Sequence, residues 1–373
     1  MHRACAILAS VRKIQLSYSF ADAGARVASI RNALIELLGA VREHGSISAA
    51  AKALGFSYRH VWGELKRWEG ELGHSLVVWE KGQHARLTEF GEKLLWAERQ
   101  ALARLAPQIE ALHSDIERVF AIAFDQSAHV LTLFASHDDA LVALREHAAN
   151  DRLHLDVRFV GSVDAIAALN QGRCVMAGFH IPPQRDAGSL AERTYRPLLR
   201  TGHHKLIGFA RRSQGLIVAP GNPLAIESVT GIAAKHARFV NRAIGTGTRV
   251  LFDELLAREG IDAKAIQGYA TGEPSHAAVA LAVASGAADV GLGIEPAARS
   301  RGLGFVPLLK EDYYLVCLKE ALDEPAVLAL RECLASEAWQ ERVRSLPGYE
   351  PMRSGEVLSL KDQLPWWKFR ARR

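Results

Sequence analysis

Apolar residues along this chain recur first with a helical, then a heptad and then a strand-like period, and each period predicts a different kind of element. Val61, Trp62, Leu65, Trp68 and Leu72 fall near a helical repeat and predict a helix with one buried stripe. Just before it, Gly45-Ser46-Ile47-Ser48-Ala49-Ala50-Ala51-Lys52-Ala53-Leu54 predicts a shorter helix. Ser46 can cap it, and Ala49, Ala50 and Ala53 let a second helix cross closely. Gly55 supplies the turn between the two, and Ser57 offers the second cap. After Gly73, the strand-like runs Leu76–Trp79 and Ala85–Leu87 bracket the turn-rich Glu80-Lys81-Gly82-Gln83-His84. The pattern predicts a winged helix-turn-helix.

Thr88 is a candidate cap for a long helix in which Leu95, Leu102, Ile109 and Ile116 recur every seven residues. Leu105, Leu112 and Val119 form a second heptad line. Two interleaved lines predict a two-helix dimer seam, with packing on the chain's own winged helix as the alternative. Pro107 predicts a kink or a split into two helices. From His129 the texture changes to short β-rich runs alternating with helices. Strands are expected at Val130–Ala135, His154–Val160 and Cys174–Phe179, with helices at Asp138–Ala148 and Asp164–Asn170, which is a βαβαβ unit and hence a parallel sheet. A second set follows, with strands at Arg238–Asn241, Ile266–Tyr269 and Asp289–Gly293 and helices at Thr248–Arg258 and His276–Ser285. Long runs at Lys205–Ala219 and Phe305–Leu318 would connect two lobes, as in type 2 periplasmic-binding-protein folds that close on a ligand.

Composition narrows the class. The chain has 373 residues, 49% hydrophobic and 23% charged, which is material for two or three cored domains and excludes a disordered protein. A net charge of +5 and a pI near 9.0 suit approach to phosphate with salt-sensitive affinity. Cys5, Cys174, Cys317 and Cys333 are far apart with no Cys-x-x-Cys spacing, so neither a disulfide framework nor a zinc site is expected. The apolar stretch Ala4–Ala9 is short and followed by Arg12 and Lys13, so no signal peptide is read. No apolar run is long enough to cross a membrane, and a cytoplasmic location is expected. Residues 1–12 read as a lead-in, and the alternating Ile14, Leu16, Tyr18 and Phe20 as a strand that pairs with the wing.

The candidate chemistry lies in two places. Tyr58, Arg59 and His60 occupy the first turn of the second helix, where a recognition helix meets base edges. Lys66, Arg67, Lys81, His84 and Arg86 suit phosphate or the minor groove, and Ser46 and Ser57 complete the expected DNA-binding set. In the two-lobed part, ligand loops are expected at the carboxyl ends of strands. They hold Ser136, His137, Asp138 and Asp139, then Ser162, then His180. The second lobe adds Asn241, Arg242, Gly245, Thr246, Gly247, Thr248 and Arg249, then Glu273, Ser275 and His276. Each loop ends at a helix N-terminus, whose N–H groups attract anions or accept a cap, so a small anion is the expected effector. No cofactor or metal is expected. The segment is no P-loop, because no Gly-Lys-Ser/Thr follows. An enzyme or metal protein built on His137, His180 and His276 is the alternative, with Ser136, His137 and Asp139 as an acid–base group. His203-His204 reads as a solvent-exposed pair.

Two resemblances add to this reading. The span from about Ser29 to Leu95 resembles the DNA-binding domain of molybdate-responsive ModE-type regulators. Gly45-Ser46-Ile47-Ser48, Ala51-Lys52, Gly55, Ser57-Tyr58, Trp62, Leu76-Val77 and Leu87-Thr88 carry the likeness, while the wing is shorter than that family's. Residues from about 130 to 350 resemble the periplasmic-binding-like domain joined to such helix-turn-helix domains and to molybdenum-cofactor biosynthesis proteins. Ala135-Ser136, Asn241-Arg242, Gly245-Thr246-Gly247-Thr248-Arg249, Ser275-His276, Ala288–Gly293 and Leu346-Pro347-Gly348-Tyr349 carry it. The layout is also that of LysR-type regulators. The resemblance implies a molybdenum- or tungsten-related ligand, an oxyanion or a cofactor precursor, although the small molybdate-binding domains of the classical repressors are absent. The expected organisation is a winged helix-turn-helix over 1–90, a linker and dimerisation helix over 91–124, and a sensor over 125–373. Lobe I of that sensor takes about 125–212 and 303–373, and lobe II about 213–302. The expected function is a one-component transcriptional regulator, a homodimer or a tetramer, on a double-stranded operator. The aromatic Trp366 and Trp367 are expected to pack on the last lobe.

Overall fold

In the computed structural model, which describes residues 32–79, 84–124, 128–183 and 185–367, three side chains begin three helices. Asn32 Oδ1 accepts from Leu34 N at 3.0 Å, Ser46 Oγ from Ala49 N at 3.0 Å and Ser57 Oγ from His60 N at 3.1 Å. They open α1 (Ala33–His44), α2 (Ile47–Leu54) and α3 (Tyr58–Leu72). Gly55 ends α2 at φ +74°, which only glycine adopts freely, and so makes the sharp turn into α3. Leu38, Val41, Ile47, Ala50, Val61, Leu65 and Leu76 form the core of this part. The buried stripe of α3 is narrower than expected: Trp62, Trp68 and Leu72 are half-buried, and Trp62 packs against the exposed Tyr58 and Trp79. β1 (Val77–Val78) and β2 (Arg86–Leu87) pair antiparallel as the wing, and Glu69 Oε1 accepts Leu76 N at 2.8 Å to tie it to α3. The wing tip from Glu80 to Gln83, with Lys81, lies outside the described residues, as do the strand expected over Ile14–Phe20 and the basic end from Lys368.

Thr88 Oγ1 accepts Gly91 N at 3.0 Å and opens α4 (Glu89–Phe124). Of the two outcomes expected at Pro107, a kink or a split, the split does not occur, and the helix continues through it. Proline has no N–H, so the carbonyl four residues back, that of Ala103, loses its helical donor. Ser275 Oγ donates to Ala103 O at 3.0 Å and fills that role. The described residues form two compact units, which divide between Leu102 and Ala103.

In the second unit β3 (His129–Ala135), α5 (Asp139–Ala149), β4 (Leu153–Phe159), α6 (Ser162–Asn170) and β5 (Met176–Ile181) give the expected βαβαβ, with β4 and β5 parallel to β3 on either side. α7 (Leu190–Tyr195) leads into β6 (His204–Val218), which leaves lobe I. Lobe II then holds α8 (Val229–Ala234), β7 (Phe239–Arg242), α9 (Gly247–Arg258), β8 (Gly272–Glu273), α10 (His276–Ala284), β9 (Val290–Ile294) and α11 (Glu295–Arg299). β10 (Gly304–Leu318) returns antiparallel to β6 along its whole length. α12 (Pro325–Ala335), α13 (Glu337–Arg344), β11 (Tyr349–Pro351), β12 (Val357–Leu358) and α14 (Leu360–Gln363) finish lobe I. The strand order is β4-β3-β5-β10-β6-β9-β7-β8, with β11 and β12 also on β6. One sheet thus passes through both lobes, and β6 and β10 are its shared hinge.

Two expectations fail. Ile266–Tyr269 is not a strand. Gly268 there takes φ +87°, and a Cβ on it would lie 2.2 Å from Phe239 O, so the segment turns close against β7 and pairing begins only at Gly272. His204 is buried, with Nδ1 accepting Arg200 N at 2.9 Å and Nε2 2.9 Å from Asn170 Oδ1, because it starts the central strand β6. Trp366 is buried and its Nε1 donates to Arg185 O at 2.8 Å.

Candidate functional site

Halfway along β6 and β10 the apolar pattern gives way to charge, and Arg211-Arg212 lie opposite Asp312-Glu311. Arg212 is 2% exposed. Its Nε donates to Glu311 Oε1 at 2.6 Å and its Nη1 to Asp138 Oδ2. Tyr349 OH donates to the same Asp138 oxygen at 2.7 Å. Gln214 Nε2 donates to Glu311 Oε1 at 2.8 Å and to Thr248 Oγ1 at 2.9 Å. Asp138 caps α5 through Ala140 N at 2.9 Å. One guanidinium therefore joins a lobe I helix cap to both hinge strands and, through Gln214, to α9 of lobe II. Burial alone would raise the Asp138 carboxyl, but the Arg212 charge outweighs it, with His180 and Tyr349 adding, and holds it well below the usual range.

Burial, and then the charge of Asp138, push Asp139 up to about 6. The folded chain therefore holds that proton to higher pH than the unfolded chain, and the stability contributed by Asp139 is lost as pH rises through about 6. Asp139→Asn is expected to stabilise the protein at about pH 8 by up to about 3 kcal/mol and to change little near pH 4. Paired melting curves across that range check it, and a variant no more stable at the alkaline end contradicts it.

Arg242, at the end of β7 and 1% exposed, differs from Arg212 in having no ion-paired carboxylate among the described residues. Its Nη1 donates to Glu273 O at 2.9 Å, while Nε is buried without a partner. Burial, and then repulsion from Arg212, pull it down to about 9. The Glu273 carboxylate is instead gripped by Arg104 of α4, with Nε at 3.0 Å and Nη2 at 2.7 Å. His180, in β5, stacks on Tyr313 with ring centroids 3.8 Å apart; neither of its nitrogens is hydrogen-bonded, and Nε2 is 3.8 Å from Asp138. His276 opens α10 with Nδ1 unpartnered. Burial and the neighbouring arginines lower both imidazoles, so both are neutral near pH 7. Ser136 and Ser162 hydroxyls are 3.3 Å apart. The lobes are closed: a Cβ on Gly161 would lie 2.7 Å from Gly245 O, and one on Gly247 3.2 Å from His180 Cβ. An uncompensated guanidinium, neutral N–H groups, hydroxyls and the N-terminus of α9 suit recognition of an anion.

Of the expected ligand residues, Ser136, Ser162, His180, Gly245, Gly247 and Thr248 come together where the lobes meet, with Arg242 and His276 buried beside them, while Thr246 caps α9 and donates to Ala243 O. The others are spent on neighbours. Asn241 holds Tyr269 O and Arg242 N. Arg249 binds Asp253 and lies 4.1 Å from the Tyr269 ring centroid. Ser275 caps α10 and bonds α4, Glu273 pairs with Arg104, and the His137 ring packs on Phe159. Among the described residues, His137, His180 and His276 do not form a metal-ligand group: two lie on different elements beside arginines and the third faces Phe159. Arg212, Gln214, Glu311 and Tyr313 were missed as site residues. The signal was charge in the middle of two long apolar runs, where a strand would otherwise stay apolar.

In the first unit Tyr58, Arg59 and His60 are exposed at the start of α3, as are His84 and Arg86 beside the wing. Lys66 pairs with Glu69 at 2.7 Å, and Arg67 is held between Glu64 at 2.6 Å and Glu71 at 2.7 Å. Ser46 and Ser57 hydroxyls serve as caps.

The description "PBP superfamily domain" matches residues 144–335, more than half of the chain. The chain belongs to the PBP superfamily. Residues 33–92 match "Bacterial regulatory helix-turn-helix protein, lysR family". The protein is thus a DNA-binding transcriptional regulator that joins a lysR-family helix-turn-helix to a PBP-like sensing domain. Similar relatives are the uncharacterized protein YvgK of Bacillus subtilis (strain 168), 30% identical over 227 residues, 61% of this chain and 73% of that protein, and an uncharacterized protein in the ferredoxin 2Fe-2S gene 5' region of Clostridium pasteurianum, 34% identical over 111 residues, 30% and 98%. Similar solved structures include full-length CbnR complexed with its target DNA, at 18% identity, 83% and 97% coverage and TM-score 0.37. ArgP from Mycobacterium tuberculosis is similar at 21% identity, 82% and 96% coverage and TM-score 0.38. Among the described residues no helix is long and apolar enough to cross a membrane.

Proposed function

We propose that this PBP-superfamily regulator senses a small oxyanion in the cleft between its lobes, molybdate or tungstate foremost, and converts occupancy into altered operator binding. The observation that carries it is Arg242, a buried cation whose Nε has no partner and which bonds only the carbonyl of Glu273, while the Glu273 carboxylate is engaged by Arg104. The preference for molybdate or tungstate rests on the ModE-type resemblance of residues around Gly45–Trp62 and of the sensor. Arg59 with Tyr58 and His60 reads bases, and Arg86, His84 and Lys81 meet the backbone or minor groove. Lys66 and Arg67, already paired within α3, contribute less charge. In this reading 1–90 is the DNA reader, 91–124 the linker and 125–373 the sensor. The exposed line Leu105, Leu112 and Val119 on α4 supports pairing of two copies through that helix.

Glu273 is the coupling element in this account. Its main-chain oxygen takes Arg242 and its carboxylate takes Arg104 of α4, so an anion on Arg242 removes the pull on Glu273 and leaves it to the helix. Thermal shift with molybdate, tungstate, sulfate and formate tests the ligand. At a hundredfold excess over Kd, about 3 kcal/mol of stabilisation is expected from the bound anion. No shift with molybdate and tungstate discards them. Arg104→Ala is expected to keep the anion-induced shift and lose the anion's effect on DNA binding, and an unchanged DNA response removes Glu273 from the pathway.

A further inference from the structure

The last turns of α5 and α12 meet away from the interlobe cleft. His147 lies in the last turn of α5, Asp151 two residues beyond its end, and Cys333 in the last turn of α12. One imidazole nitrogen, one carboxylate oxygen and the thiol sulfur all lie within 4.8 Å of one another. Cys333 is buried, His147 half-buried and Asp151 exposed, and the His147 ring rests on Trp339 at 5.5 Å.

From this arrangement we infer that His147, Asp151 and Cys333 form a binding site for a borderline divalent metal ion of the zinc class. Four observations converge on it. The donor set is one nitrogen, one oxygen and one sulfur, which such ions accept and which calcium or magnesium do not. The separations need only small side-chain adjustments to reach bond lengths of about 2.0–2.3 Å. Two helix C-termini, each with the negative end of its dipole, point their last turns at the same spot, and Asp151 adds a full negative charge. The ring of Trp339 walls one side, which favours a fixed imidazole.

The ion replaces the thiol proton. The divalent ion bonds the Cys333 sulfur, the His147 nitrogen and the Asp151 oxygen, one proton leaves to solvent, and water takes the fourth position. Bound metal would clamp the end of α5 to the end of α12 within lobe I. The site is separate from the proposed anion cleft and does not depend on it.

The full-length, tag-free protein is titrated with Co(II). The expected result is a sulfur-to-metal charge-transfer band with tetrahedral visible bands, at one equivalent, displaced by Zn(II). Cys333→Ser is expected to abolish the charge-transfer band and Cys174→Ser to keep it. His147→Gln, which leaves the thiol in place, is expected to weaken Zn(II) binding at least about tenfold in competition with a chromophoric chelator. Absence of the thiolate band, its persistence in Cys333→Ser, or full affinity in His147→Gln overturns the assignment.

Discussion

Arg212→Met is expected to cost the regulator about 3–5 kcal/mol of stability, the largest loss of any single hinge substitution. Its guanidinium bridges Glu311 at 2.6 Å and Asp138, both fully buried. Methionine fills the volume and leaves two buried carboxylates without their cation. Tyr349 and Gln214 stay hydrogen-bonded to them but neutralise nothing. The Asp138 carboxyl, now governed by burial, would rise and take up a proton, and the α5 cap would weaken with it. Denaturant unfolding of the parent and the variant measures the difference. A loss below about 1 kcal/mol would mean that Arg212 does not hold the hinge.

Arg242→Met is expected to do the opposite in the ligand-free protein while destroying anion binding. This arginine lies as deep as Arg212 but bonds only a carbonyl, and repulsion from Arg212 adds to its cost. Removing an uncompensated buried cation in favour of a well-packed apolar side chain stabilises by about 1–4 kcal/mol. The same change removes the charge that the anion needs, so affinity is expected to fall by at least about a hundredfold, equivalent to about 3 kcal/mol for a charge-assisted pair. Melting without ligand and calorimetric titration with tungstate read the two effects separately. A variant that is less stable yet binds normally would make Arg242 a structural residue.

The contrast between these two arginines shows what could be read in advance. The caps Ser46, Ser57 and Thr88, the turn at Gly55 and the parallel strands of lobe I all follow local rules, and each appears near its expected position. So do the long runs that became β6 and β10, since continuous apolar patterns of that length have few alternatives. Arg242 stands at the carboxyl end of β7, where a strand-end rule looks. Arg212 escaped because it sits in mid-strand, where its partners Glu311 and Asp138 are 99 and 74 residues away in sequence and only pairing reveals them. The unbroken helix at Pro107 was hidden for the same reason: the donor that meets the freed Ala103 carbonyl, Ser275, comes from lobe II. The error at Ile266–Tyr269 is local in origin, since Ile266 and Tyr269 on either side of Gln267-Gly268 read as a short strand until the close approach of Gly268 to Phe239 is known.

The most direct test is operator affinity with and without the anion. The protein selects its own duplex from random DNA, and fluorescence anisotropy measures Kd alone and with saturating molybdate or tungstate. Binding at the cleft is expected to change that Kd by about tenfold or more, within the usual range of allosteric coupling, and Arg242→Met is expected to erase the change. An operator affinity that is identical with and without either anion contradicts the account.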